Sequence, residues 1–144
     1  MTSRHPSIQR ATTPEQLHHC YPVIKQLRPH LDESAYLSQV ARQEKQGYLT
    51  AFAEHESRVV AVAGYRFVEY LAWGSSMYVD DLVTCETARS GGFGGALFDW
   101  LVEQAKENGC RELHLDSGVQ RFDAHRFYLR KRMNITSHHF ALPL

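Results

Sequence analysis

Gly91, Gly92, Gly94 and Gly95 crowd the run Arg89-Ser90-Gly91-Gly92-Phe93-Gly94-Gly95, the part of this chain best suited to chemistry by its backbone alone. The run follows strand-like residues and leads into Phe93, Ala96, Leu97, Trp100, Leu101 and Ala105, spaced by three and four as on an amphipathic helix. Glycines at a helix start let several main-chain N–H groups converge on an anion, and the helix dipole adds partial positive charge there. The spacing limits which anion. A nucleoside triphosphate loop needs Gly-x-x-x-x-Gly-Lys, yet Ala96 follows Gly95; a dinucleotide fingerprint needs a glycine where Leu97 stands. Cys85 adjoins the run, but no His–Asp pair is linked to it in sequence, so it reads as a buried packing residue and not a nucleophile. The 9 histidines show no H-E-x-x-H or C-x-x-C context, so no metal site is expected.

The elements that must position these residues follow from periodicity and punctuation. Residues 8–11 read as a short strand, and Thr13 caps a helix opened by Pro14 and stopped near Arg28 by Pro29. A second helix is expected over 31–46, capped by Asp32, with Leu37, Val40 and Ala41 facing inward and Gly47 closing it. Residues 48–54 and 58–70 alternate as two antiparallel strands joined at His55-Glu56-Ser57. Ala72-Trp73-Gly74-Ser75 then turns the chain into a strand over 77–84. The helix after the glycine run ends at Asn108-Gly109. A strand over 111–116, a helix over 121–132 and a final strand over 135–142 complete the chain. The predicted order is β-α-α-β-β-β-α-β-α-β, an α/β fold of a single domain over 1–144.

Arg89-Ser90-Gly91-Gly92-Phe93-Gly94 fits Arg-x-x-Gly-x-Gly, directly after a strand and opening a helix. It resembles the acyl-CoA-binding motif of the GCN5-related N-acetyltransferase (GNAT) family. The resemblance implies a three-layer α/β/α sandwich around a mixed, mostly antiparallel sheet. It also implies that main-chain N–H groups from Arg89 through Gly95 hold the diphosphate of acetyl-CoA, a cosubstrate used without a metal. The family normally closes with two strands after its last helix. Either one is missing here or a partner chain, as in a homodimer, completes the edge. Residues 78–84 look like the family's strand before the glycine turn, where relatives that acetylate small amines often carry an acid pair at the positions of Asp80 and Asp81. Ala124-His125-Arg126-Phe127-Tyr128 is similar to the A-x-x-[FL]-Y of the last helix, whose tyrosine approaches the coenzyme sulfur. The family's following Gly-Phe is Arg132-Met133 here, and its asparagine before the alanine is Arg121.

Acyl transfer from a thioester to an amine needs an unprotonated amine, a donor for the tetrahedral oxyanion and a proton for the departing thiolate. A lysine-like amine has a pKa of about 10.4, so a base must take its proton or the site must depress that value. Asp80 is the first candidate base, acting directly or through water, with Asp81 second and Asp116 third. Strict alternation puts Tyr78, Asp80, Leu82 and Thr84 on one strand face and Asp81 on the other, so both acids share a cleft only if a bulge intervenes. A main-chain N–H among Leu82, Val83 and Thr84 would hold the oxyanion, and Tyr128 would protonate the thiolate. The basic residues Arg126, Arg130, Lys131 and Arg132 either answer the helix dipole or meet the 3′-phosphate of the coenzyme.

The acceptor would be a primary amine on a small molecule or peptide. Its cleft falls to the first two helices and strand ends, with Tyr21, Arg28, Asp32, Glu33, Tyr36 and Tyr65. The acids there could draw an amine; the arginine could equally hold a carboxylate. A coenzyme A-binding regulatory domain without catalysis fits the same motifs. Lys plus Arg equals Asp plus Glu at 16 each, which argues against nucleic acid or an anionic membrane as partner. No apolar run approaches the roughly 20 residues that span a bilayer. The first ten residues lack the apolar core of a secretory leader, and Cys20, Cys85 and Cys110 leave one thiol unmatched. A cytoplasmic protein is expected.

Overall fold

The computed structural model describes residues 5–144; residues 1–4, part of the stretch read for a leader, lie outside the described residues. Thr13 starts the first helix through a reciprocal cap: its hydroxyl accepts the Gln16 N–H at 3.2 Å, and the Gln16 side chain accepts the Thr13 N–H at 3.1 Å. The helix, α1 (Pro14–Leu27), buries Leu17, Cys20, Val23 and Ile24. Asp32 caps α2 (Glu33–Glu44) by accepting the Ala35 N–H at 2.8 Å. This helix turns Tyr36 and Val40 inward, while Leu37 is half-buried and Ala41 is exposed, contrary to the inward place expected for Ala41. Tyr36 sits four residues before Val40, so the large ring takes the stripe that the smaller alanine leaves.

Strand β1 (Ser7–Arg10) pairs antiparallel with β2 (Leu49–His55), β2 with β3 (Arg58–Tyr70), and β3 with β4 (Gly74–Thr84). The hairpin from β2 to β3 turns on Glu56 and Ser57, both at positive φ (51° and 62°), which matches the twist of the flanking strands. Helix α3 (Phe93–Glu107) follows β4 after a 3₁₀ segment, and β5 (Glu112–Leu115) is the fifth strand in the order β1-β2-β3-β4-β5. The Arg111 N–H donates to the Ser75 carbonyl at 2.7 Å just before β5 begins. One face of β2, β3 and β4 sends Phe52, Val62 and Val83 into a cluster with Cys20, Ile24, Tyr36 and Val40 from α1 and α2. Tyr65 is directed toward α3, its ring centroid 6.3 Å from that of Trp100.

The chain divides into two units, one through His114 and one from Leu115. The second holds α4 (Phe122–Arg130). After α4 no strand forms among the described residues, which corrects the strand expected over 135–142. Ile135, Phe140 and Leu142 are β-compatible by type, yet all three are exposed. Strand propensity is realised through packing and cross-strand pairing, and this segment has neither.

Candidate active site

The register between β3 and β4 slips by one residue at the two acids. Gly64 faces Asp81 and Tyr65 faces Val79, so Asp80 is the extra residue of a β-bulge. Arg66 faces Tyr78, and Arg66 and Gly64 lie two apart on β3. Tyr78 and Asp81 therefore share a face across the bulge, where strict alternation had separated them. Both carboxylates are held by groups of that face. Asp80 takes a two-pronged ion pair from Arg66, Nε to Oδ1 at 3.1 Å and Nη2 to Oδ2 at 2.6 Å. Asp81 accepts Arg28 Nε at 2.9 Å and Tyr48 Oη at 2.8 Å, and Arg28 Nη2 also donates to the Asp80 carbonyl at 3.3 Å. The Arg66 guanidinium lies 5.6 Å from the centre of the Tyr48 ring, tying the two acid pairs together.

Protonation follows from these surroundings. Burial raises the Asp80 carboxyl above its ordinary value, and the Arg66 hydrogen bonds and charge oppose that rise. Burial, then the Asp81 charge, pushes the Tyr48 phenol well above its usual range, so Tyr48 stays a neutral donor. Tyr48 was not anticipated as a site residue. Its signal was Gly64, a glycine in the middle of an apolar strand: a Cβ there would collide with the Tyr48 hydroxyl.

Between α1, α2 and the bulge lies a cavity of about 280 Å³. Ile24, Leu31 and Val40 give it apolar walls; Arg28, His30, Tyr36 and Asp81 give it polar ones, with Tyr48 beneath and Gln39 and Gln43 at α2. Of the six acceptor-cleft residues expected, Arg28 and Tyr36 line it. Tyr21 instead donates to the Leu31 carbonyl at 2.9 Å, Asp32 caps α2, Glu33 pairs with His18, and Tyr65 lies buried toward α3. The Tyr36 hydroxyl is buried with no hydrogen-bond partner among the described residues.

The glycine run is divided more finely than the sequence implied. Glu86–Gly91, including Arg89 and Ser90, is a 3₁₀ helix, whose own i→i+3 ladder uses main-chain donors. Gly92 at φ 74° turns the chain into α3, in the left-handed region where glycine carries no Cβ penalty. The first α3 amide bonded across this junction is Ala96, whose N–H reaches the Gly92 carbonyl at 3.0 Å. The amides ahead of it, on Phe93, Gly94 and Gly95, are the ones a helix leaves without intrahelical partners. Leu82, Val83 and Thr84 pair with Ala63, Val62 and Ala61 at the end of β4. Cys85, expected to be buried, is half-buried at the rim of the core. Its sulfur lies 3.3 Å from Thr87 Oγ1 and accepts Gln26 Nε2 at 3.6 Å; these bonds, Thr87 foremost, draw the thiol below its ordinary value.

In the second unit, Tyr128 lies on α4 and burial raises its phenol, with Arg121 pulling the other way. Asp116 pairs with His139 at 3.4 Å. Of the basic residues there, Arg126 donates to Asp123 at 2.9 Å and Lys131 stands 5.9 Å from the Phe127 ring centre. Arg132 adopts φ 67° at the position where the resemblance expects glycine.

This arrangement, a bulged acidic strand followed by a helix with open N-terminal amides, can be set beside known proteins. Residues 11–133 match the Acetyltransferase (GNAT) family. The chain belongs to that family. It is 34% identical over 140 residues to the uncharacterized N-acetyltransferase YhdJ of Bacillus subtilis, covering 95% of this chain and 98% of that protein. Its fold is similar to that of aminoglycoside N-acetyltransferase AAC(6')-Iy in complex with CoA, with a TM-score of 0.84 and 15% identity over 97% of this chain and 95% of the other. A ribosomal-protein-alanine N-acetyltransferase from Brucella melitensis is also similar, with a TM-score of 0.82 and 15% identity over 97% and 99% of the two chains. The protein is an acyltransferase of the GNAT family, and the α/β fold is the one its neighbours share. No helix among the described residues is long and apolar enough to cross a membrane.

Proposed function

We propose that this GNAT protein transfers the acetyl group of acetyl-CoA to a primary amine seated in the cavity between α1, α2 and the β4 bulge. The observation that carries the reading is the succession of bulge, strand end and uncapped α3 amides on one short stretch, 80–95. The family match runs through both units, which supports one N-acetyltransferase domain over the whole chain. Phe93, Gly94 and Gly95 offer main-chain donors to the diphosphate, with exposed Gly91 and Gly92 beside them. Arg89 and Ser90 shape the turn. A main-chain donor among Leu82, Val83 and Thr84 receives the acyl arm.

The amine nitrogen then attacks the thioester carbonyl; a C–N bond forms, the C–S bond breaks, and the amine proton must leave. Asp81 lines the cavity and Asp80 does not, which moves the preferred base from Asp80 to Asp81, acting through water. Asp80, paired with Arg66, fixes the bulge that presents it. Tyr128 is assigned the thiolate's proton donor on its A-x-x-F-Y context in the sequence. The named acceptors of the structural neighbours differ, an aminoglycoside in one and a ribosomal-protein alanine in another, so neither is carried over.

The diphosphate contact has a direct test. Calorimetry should show S-acetyl-pantetheine, which has the thioester arm but no diphosphate, binding at least about 100-fold more weakly than acetyl-CoA. Equal affinities would remove the amide cup from the account.

A further inference from the structure

The hydrogen-bonding capacity around the α1–α2–β4 cavity is uneven. Asp81, the one carboxylate among the described lining residues, already accepts Arg28 and Tyr48. Gln39 Nε2 donates to Gln43 Oε1 at 2.9 Å, which leaves the Gln43 amide hydrogens and the Gln39 amide oxygen over. Arg28 uses Nε on Asp81 and Nη2 on the Asp80 carbonyl, and its Nη1 hydrogens have no acceptor among the described residues. Tyr36 is only 3% exposed, and its hydroxyl has no partner there at all. Burial holds that phenol far above the ordinary range, so it remains a donor. A guanidinium with hydrogens to spare and a buried hydroxyl without a partner among the described residues complement an oxyanion, while the lone pairs left on Asp81 suit an amine at the other end of the same molecule. At about 280 Å³ the cavity lies just below the roughly 300–1,000 Å³ of drug-sized pockets, which suits a small metabolite.

Building on the acetyltransferase reading, we propose that the cavity recognises an anionic group, carboxylate or phosphonate, on the same small molecule that carries the acceptor amine, with Arg28 and Tyr36 as its ligands. Arg28 supplies charge and its Nη1 hydrogens from the C-terminal end of α1, and Tyr36 supplies a neutral donor from α2. The amine end falls to the lone pairs that Asp81 keeps beside its bonds from Arg28 and Tyr48. The ion pair of Arg28 with Asp81 thus orders the two ends of the acceptor.

The test compares kcat/KM for 4-aminobutanoate, 3-aminopropylphosphonate and butylamine, which match in amine and chain but differ in the acid. Wild type should prefer at least one acid-bearing amine to butylamine by tenfold or more, and the better of the two names the oxyanion. Arg28→Gln should reduce that preference at least tenfold and Tyr36→Phe about threefold; the phenylalanine variant removes only an unpartnered oxygen and keeps the fold. Butylamine served as well as the acids, or a preference unchanged in both variants, overturns the proposal. If acetyl-CoA binds and no amine is acetylated, the transferase reading fails separately. Calorimetric titration with the same two acids then decides: millimolar or tighter binding that Arg28→Gln abolishes upholds the anion site, and no binding of either overturns it.

Discussion

Two tyrosines of equal burial make opposite predictions at the residue scale. Tyr48 and Tyr36 are each 3% exposed, but Tyr48 donates to the Asp81 carboxylate and Tyr36 has no hydrogen-bond partner among the described residues. Tyr48→Phe therefore removes a charge-assisted bond and should cost about 1.5–3 kcal/mol in urea denaturation. Tyr36→Phe should cost nothing or stabilise, because it removes a hydroxyl that folding desolvates without compensation. A similar contrast holds for the thiols. Burial pushes Cys20 up to about 12, while Thr87 and Gln26 draw half-exposed Cys85 down. Iodoacetamide should label Cys85 first, with a rate midpoint below the ordinary thiol value, and Cys20 only on unfolding. Equal labelling rates in the native protein would contradict these environments. The acid pair at Asp80 and Asp81 was legible in the sequence; the partners Arg66 and Tyr48 were not, because they reach the acids through a bulge that alternation cannot announce. Arg28 was legible as a cleft residue, and its choice of Asp81 over a free ligand depends on distances.

At the scale of elements, caps and glycines carried most of the information. Thr13, Asp32 and Gly47 mark helix ends where their side chains or φ values require. The glycine run was harder, since a 3₁₀ helix and an α-helix start share the same glycines, and only Gly92 at φ 74° separates them. Periodicity placed the strand over 135–142 from residue types alone, and a strand without a neighbour does not form. Arg132 at φ 67° gives this scale its prediction. A side chain in the left-handed region costs about 1–2 kcal/mol, and glycine's extra freedom in the unfolded chain returns part of that. Arg132→Gly should therefore raise stability by about 0.5–1 kcal/mol in thermal or urea unfolding. Destabilisation by that change would mean the arginine makes contacts that outweigh its backbone strain.

For the whole molecule, the sheet order and the two helices before β2 place an acidic bulge beside a cavity and lead β4 into the α3 amides. The family match over residues 11–133 and the relative of nearly equal length fit that organisation. The central claim is that this chain transfers the acetyl group of acetyl-CoA to an amine and frees the coenzyme thiol, and the most direct measurement is the rate of thiol release from acetyl-CoA with and without an acid-bearing amine such as 4-aminobutanoate. The account predicts release that depends on the amine, saturates with it, yields the N-acetyl product mole for mole, and falls at least tenfold in Asp81→Asn. Release at the same rate with no amine present, or no release above the uncatalysed rate with any amine, would contradict it.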